Sequence, residues 1–493
     1  MGSGWAGYAF ARTLDPAKFE RIVISPRSYF VFTPLLASTA AGTLEFRAVL
    51  EPIRRLRDIK FYQGWADDID FGRKTVRVEA NTADDLASKT IVLPAGSGHN
   101  GRPKAPGTKG EVFDVSYDKL VVACGAYSQT FGIEGVREHA HFLRDIGDAR
   151  RIRLRVLSLF EQCSHPSPTS RDVSTDHGDT AAHLTDAEKR SLLHFAIVGG
   201  GPTGIEFAAE LHDLIYEDLA RIYPNLLRFV RITVYDVAPK LLPMFDQALA
   251  TYAAETFARQ GITVRTETHL DRIRLADGDL GSEHGGLRLK VRENGDEEVD
   301  AGLVVWSTGL MQNPLVQRLA DKTFTLPGTA AGSSLVKDSR TGGLVTDAYL
   351  RARINPSPAG ASSSSSSSSS PGDASTLDDV FVIGDCAVAD SADKQRLPQT
   401  AQVASQQAVH LAKLLNKGDV TAKSFRFRNW GTMTYLGSWK AIHQSSADEL
   451  KGRVAWIVWR GAYLTKSMSL RNKIMVPVYW MISWIFGRDI SRF

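Results

Sequence analysis

The sequence predicts an α/β fold: two Rossmann-like domains, the first split by insertion of the second, then an amphipathic C-terminal module. Three observations predict it. Gly2-Ser3-Gly4-Trp5-Ala6-Gly7 and Gly199-Gly200-Gly201-Pro202-Thr203-Gly204 share the G-x-G-x-x-G spacing, and each opens a helical pattern. Each half also carries a buried-looking strand that closes at glycine, Tyr117–Ala126 and Leu303–Gly309. Finally, Thr421 to Phe493 holds 12 Lys or Arg against 3 Asp or Glu, with six of the nine tryptophans, although the whole chain carries only +4. The expected boundaries are 1–150 and 336–424 for the split domain, 192–335 for the inserted one and 425–493 for the module.

In such a turn the first glycine permits a tight exit from a strand, the second lets backbone approach a pyrophosphate, and the third lets helix and strand pack closely. The helix N-terminus then offers unpaired N–H groups and a positive dipole end to the phosphates. Two turns a domain apart suggest two dinucleotides, with electrons passing between them.

The second turn has its full context. Leu193–Val198 is an apolar run suited to a buried parallel strand, and Ile205–Leu211 is a good helix former. The strand Arg231–Asp236 ends in an acid where a ribose 2′-hydroxyl would bind. A carboxylate there repels a 2′-phosphate, so NADH is expected over NADPH. Thr203 and Glu206 also fit a capping box, so Glu206 reads either as a helix cap or as a carboxylate beside the nicotinamide.

The first turn starts at the second residue, and the strand expected before Gly2 is missing. The reading is a chain truncated at its N-terminus or one whose start is wrongly assigned, and in either case no targeting segment can be read. A helix at Tyr8–Leu14 and a strand at Glu20–Ser25 follow. The position of the usual ribose acid is Ser25, with Arg27 beyond it, so ribose binding here is not of the ordinary carboxylate kind.

Ala80–Gly110 and Ser164–Leu184 read as polar insertions, and the serine run Ser362–Ser370 as a disordered segment. Arg144–Gln162 reads as a helix. Cys124, Cys163 and Cys386 make no C-x-x-C, which argues against a disulfide framework, a zinc site and a redox-active dithiol; no metal is expected. Asp379–Ile383 is a short strand ending in Gly384-Asp385, where the carboxylate suits a ribityl hydroxyl or caps a helix, and a helix is expected over Leu397–Val409.

In the tail, Ile474–Phe486 is a dense apolar run flanked by Arg471, Lys473, Arg488 and Arg492, and Val454–Trp459 is a shorter one. Both fall short of the roughly 20 apolar residues of a spanning helix. They suit helices lying in a membrane interface, with tryptophans at headgroup level and cations on anionic lipid; a buried core or homodimer helix is the alternative. No motif for nucleic acid accompanies the charge.

The stretches GSGWAG, Ile24–Thr43, VGGGPTGIEFAAEL, VIGDCA, LPQTAQVASQQA and the tail ending in FGRDISRF resemble the type II, or alternative, NADH:ubiquinone oxidoreductases of fungal and plant mitochondria. The resemblance spans nearly the whole chain. It implies a two-dinucleotide flavoprotein fold and a single-subunit, non-proton-pumping enzyme, peripheral on the mitochondrial inner membrane, that oxidises NADH through noncovalent FAD and reduces ubiquinone. Carried over by motif, Gly2, Gly4, Gly7, Ser25, Arg27, Cys124, Gly125, Gly384 and Asp385 would serve FAD. Thr33, Pro34 and Leu35 match the stretch near the isoalloxazine. Gly199, Gly201, Thr203, Gly204, Asp236, Thr308 and Gly309 would serve NADH. Glu206, Gln402 and Gln406 would be catalytic, with Gln402 also touching the flavin. Ser405 stands where the family often has His, which puts a proton relay through that position in doubt.

Two other classes compete. One is a soluble NADH oxidase or ferredoxin-reductase-like enzyme that docks an acidic partner through the basic tail. The other is a signalling protein on this fold with redox-dead sites.

Overall fold

A computed structural model describes residues 1–81, 110–165, 184–326, 332–355, 375–389, 396–445, 448–466 and 469–492. The serine run and nearly all of both polar insertions lie outside these residues. The chain divides into two compact units, one built from Met1–Val31, Glu51–Ser128 and Leu310–Trp430, the other from Phe32–Leu50, Gln129–Gly309 and Gly431–Phe493.

In the first unit the strand Arg21–Ser25 runs parallel to Ile59–Asp70, which pairs antiparallel with Thr75–Ala80 and through it with Val112–Ser116. Leu120–Val122 pairs in parallel with Ser375–Val382, part of a seven-stranded sheet. Met1 and Gly2 join the two systems. The Met1 amino group donates to Val121 O (2.7 Å), Ala123 N donates to Met1 O, and Gly2 N donates to Ile24 O. The first turn is thus seated by ladder bonds on both sides.

The helix Trp5–Thr13 packs against the helix Ala401–Lys417 through a core of small and apolar side chains that includes Ala6, Ala9, Ala404, Ala408, Leu411 and Ile383. Alanines on both faces let the two backbones come close. The second helix starts four residues later than its sequence pattern suggests. Pro398 cannot donate a backbone bond, and Thr400 takes the N-cap position, accepting from Val403 N.

The second unit holds a parallel five-stranded sheet in the order Thr263–Arg265, Arg231–Tyr235, His194–Val198, Leu303–Trp306, His141–Phe142. Every residue of His194–Val198 is buried, as a central parallel strand requires. The helix Ile146–Ser164 begins in a capping box between Asp145 and Asp148. The C-terminal segment forms an antiparallel sheet, Thr432–Gly437, Lys440–Gln444 and Glu449–Gly452, then the helices Arg453–Lys466 and Leu470–Phe486. No helix among the described residues is long and apolar enough to cross a membrane.

The tail corrects part of its sequence reading. Trp459 and Trp480 are buried, not at an interface. Arg488 does not face outward either: its guanidinium bonds Asp218 (2.6 Å), Glu217 (2.8 Å) and Thr43 Oγ1 (2.9 Å). Its main-chain N donates to Asp218 Oδ1, and Arg153 pairs with Asp489. The Gly-Arg-Asp near the end is therefore a clasp onto the unit's own helices. The apolar side chains that do remain exposed include Ile457, Ile474, Met481, Trp484, Ile485 and Phe486.

Candidate active site

The two glycine turns have the same geometry. Gly2 (φ +106°) and Gly199 (φ +117°) occupy backbone space that side chains disfavour. A Cβ on Gly2 would sit 2.2 Å from Ala123 O, and one on Gly199 would sit 2.9 Å from Ser307 Oγ. A Cβ on Gly7 would lie 2.0 Å from Gly2 O, and one on Gly204 the same distance from Gly199 O. By contrast, a Cβ on Gly4 or Gly201 would meet nothing within 4 Å. The outer glycines are needed for packing, and the middle one borders open space. Gly4 and Gly201 are also the N-caps of their helices, and no side chain caps either end. Helix N-termini without a side-chain cap among the described residues suit an anion. This arrangement fits the pyrophosphate of a dinucleotide at each turn.

Each turn gathers its sequence-predicted neighbours. Gly2 lies against Ala123 and Cys124, just before Gly125 (φ +68°). Gly384 (φ +77°) would place a Cβ 3.1 Å from Ala6 Cβ, so Gly384-Asp385 abuts the helix of the first turn. Gly199 lies against Ser307 and Thr308, just before Gly309 (φ +75°).

The ribose positions differ. Asp236 accepts from Gly200 N and, through Oδ1, from Ala238 N (2.7 Å). The carboxylate is thereby fixed at the turn that would hold the nucleotide. In the first unit Ser25 Oγ meets Ser3 Oγ at 2.8 Å and accepts from Arg27 N at 3.3 Å. That edge is uncharged at residue 25.

Glu206 does not cap its helix. The helix starts at Pro202, Gly201 is the N-cap, and Thr203 is exposed in the first turn. Instead, Glu206 Oε1 accepts from the backbone N of Tyr435 (3.2 Å) and from Trp459 Nε1 (3.3 Å). The residue is 7% exposed. Burial pushes its carboxyl up to about 8, against the lowering pull of those two donors. Burial thus favours the neutral acid form of Glu206.

One turn on, Glu210 is also buried and accepts from Ser38 Oγ and Thr43 Oγ1, both at 2.6 Å. Its carboxyl is raised by burial as well. Asp213 accepts the Tyr435 hydroxyl at 2.7 Å. Thr33, Pro34 and Leu35 form the short 3-10 turn that leads into the helix Leu36–Ala40, which carries Ser38.

Gln402 Oε1 accepts from Trp430 N (3.2 Å), and Gln406 both donates to and accepts from the Arg428 backbone. These amides pin the strand-like segment leaving the helix. The residue that holds Gly384 is their neighbour Gln407, 2% exposed, whose Oε1 accepts from Gly384 N at 2.7 Å. Ser405 Oγ is buried and finds no hydrogen-bond partner among the described residues.

Sequence reading did not find Gln407, Tyr435 or Trp459. Gln407 is one more glutamine in a glutamine-rich helix. The Glu206 partners are 229 and 253 residues away along the chain, and no local spacing signals them.

Comparison with known proteins places this geometry. Residues 1–356 match the pyridine nucleotide-disulphide oxidoreductase model, and residues 430–489 match the NDH2 C-terminal domain. A probable NADH dehydrogenase of Dictyostelium discoideum is 36% identical, over all of this chain and 90% of its own length. The internal alternative NAD(P)H-ubiquinone oxidoreductase A1 of Solanum tuberosum mitochondria is 32% identical over all of this chain and 87% of its own. The chain belongs to the alternative NAD(P)H-ubiquinone oxidoreductase family. Its fold is that of the NDH2 of Plasmodium falciparum, with a TM-score of 0.77 and 23% identity over 99% of this chain and 98% of that one. A ferredoxin reductase and a water-forming NADH oxidase share the fold less fully, at TM-scores of 0.57 over 90% of this chain. Within the family, the C-terminal domain match contains both Tyr435 and Trp459.

Proposed function

We propose that this chain is an FAD-dependent, non-proton-pumping NADH:ubiquinone oxidoreductase, peripheral at the mitochondrial inner membrane. The observation that carries the reading is the duplicated glycine cradle, each copy with an open middle position and an uncapped helix end. It stands in a chain that also has the C-terminal domain of the family.

Gly2, Gly4 and Gly7 hold the pyrophosphate of FAD, with Cys124, Gly125, Gly384 and Asp385 around it. Ser25 and Arg27, joined to Ser3 by hydrogen bonds at the ribose position, would serve its ribose without a carboxylate. Gln407 fixes the Gly384 turn that presents Asp385. Gly199, Gly201, Thr203 and Gly204 hold the pyrophosphate of NADH, with Thr308 and Gly309 behind them. Asp236 accepts from the ribose hydroxyls and repels a 2′-phosphate, which favours NADH over NADPH.

FAD, when bound, accepts a hydride and returns two electrons. The protein positions the reactants and manages protons. Glu206, a buried carboxyl raised to about 8 on the helix opened by the NADH turn, is the group that exchanges a proton during turnover. By the family resemblance Thr33, Pro34 and Leu35 would serve the flavin. Gln402 and Gln406, which the resemblance assigns to catalysis, anchor the segment at Arg428 and Trp430.

Membrane attachment runs through the exposed apolar faces of Arg453–Lys466 and Leu470–Phe486, which lie in the interface without spanning it. These faces favour the quinone reading over a soluble oxidase, for which exposed Trp484 and Phe486 are a liability. The test is NADH:ubiquinone activity of the flavin-loaded protein on liposomes. Quinone reduction lost in Trp484→Ser/Phe486→Ser while NADH still reduces the flavin supports the reading; undiminished quinone reduction counts against it.

A further inference from the structure

The Glu206 carboxyl is held asymmetrically. Two N–H donors converge on Oε1, the Tyr435 main chain at 3.2 Å and the Trp459 indole at 3.3 Å. No described residue bonds Oε2. An oxygen with both lone pairs accepting N–H bonds cannot carry the acid proton. The proton must reside on Oε2.

Trp459 is well placed to enforce this. It is 3% exposed, stacks on Tyr435 at 5.4 Å and packs tilted against Tyr463 at 4.9 Å and Trp480 at 6.4 Å. A ring locked on several sides keeps its N–H aimed. The other donor is main chain, so Trp459 is the side chain by which the C-terminal domain controls this carboxyl.

We propose that Trp459 is a positioning residue: its indole N–H fixes Glu206 Oε1, so that Oε2 is the oxygen that binds and releases the proton in turnover. The proposal rests on the assignment of Glu206 as the proton-exchanging group. The charged and titratable neighbours are Glu210 and Asp213 on the same helix, Tyr435 on the adjacent strand, and Arg460 and Tyr463 on the helix of Trp459. Arg488 approaches Glu210 from the chain end. Burial chiefly raises the Glu206 carboxyl, the two N–H donors lower it, and Glu210 adds a smaller rise.

The direct test replaces Trp459 with β-(3-benzothienyl)alanine, which keeps the ring shape and loses the N–H. Two quantities are read: the carboxyl band of Glu206 in an infrared pH titration of the resting protein, and the pH profile of quinone reduction. Loss of a donor to a carboxylate raises both midpoints by about one unit. Trp480→Phe, which loosens the same cluster without touching Glu206, leaves both midpoints in place. A benzothienyl variant with unchanged midpoints overturns the proposal. Glu206→Gln separates this from the underlying assignment: it must remove the titrating band and the matching limb of the profile. If both survive that substitution, the titrating group is another residue, and the Glu206 assignment falls together with the role of Trp459.

Discussion

The carbonyl oxygen of Gly199 stands 2.0 Å from the point a Cβ of residue 204 would occupy, and Gly2 stands in the same relation to residue 7. Neither obstacle is the end of a flexible side chain; each is backbone in a turn fixed by its neighbours. Gly204→Ala therefore forces strand and helix apart at the NADH turn, and Gly7→Ala does so at the FAD turn. The two variants should separate. Gly204→Ala keeps its yellow colour and loses rapid bleaching by NADH, whereas Gly7→Ala purifies with little flavin. Absorbance spectra and stopped-flow bleaching distinguish them.

Asp236 sets nucleotide choice. Its carboxylate is fixed by Gly200 N and Ala238 N at the edge where a ribose would lie. Asp236→Ser removes the charge that repels a 2′-phosphate. The ratio of kcat/KM for NADH to that for NADPH should fall by at least about tenfold. An unchanged ratio would show that discrimination lies elsewhere.

Arg488 ties the chain end to Asp218 and Glu217, with a side chain only 9% exposed. Removing one partner of a buried pair leaves the other charge unpaired, at a cost of about 3 kcal/mol. Arg488→Met should lower the thermal midpoint by several degrees. Restoring neutrality with Arg488→Met/Asp218→Asn should recover much of the loss.

Stability should depend on Glu206 with a definite sign. Its carboxyl rises from an ordinary 4.5 to about 8 in the fold, so the folded state binds the proton more tightly than the unfolded chain. Its contribution is complete below about 4.5 and is lost as the pH climbs through about 8. Asp148, raised to about 7 by burial, slopes the same way, so the difference between wild type and Glu206→Gln isolates Glu206. Thermal midpoints across this range should fall less steeply with pH in Glu206→Gln. Parallel curves would contradict a buried neutral acid.

Membrane affinity should reside in the exposed ends of the last two helices. Trp484→Ser/Phe486→Ser removes two of the most exposed large apolar side chains, at 69% and 81%. Flotation with anionic liposomes should drop at least about tenfold, since burying an aromatic side chain contributes roughly 1.5–3 kcal/mol. Bleaching by NADH should stay normal.

The glycine turns were legible because their chemistry is local. Spacing alone placed Gly2, Gly4 and Gly7 and Gly199, Gly201 and Gly204, and the strand ends at Cys124-Gly125 and Thr308-Gly309 followed from apolar runs that stop at glycine. The capping-box reading of Thr203 and Glu206 was equally local, and it gave way to tertiary contact. Pro202 begins the helix two residues early, and a strand and a helix from the far end of the chain supply better donors to Glu206. The tail was legible in charge but not in direction. A cation next to an apolar run suits lipid as well as a buried carboxylate, and only the fold brings Asp218 to Arg488.

The most direct measurement is an anaerobic double-mixing experiment on the FAD-loaded protein, with absorbance followed at the flavin band. NADH should bleach the flavin, and a short-chain ubiquinone added next should restore the colour, with one quinone reduced per NADH consumed. A chain that binds no FAD when supplied with it, or a flavin that NADH leaves yellow, contradicts the account.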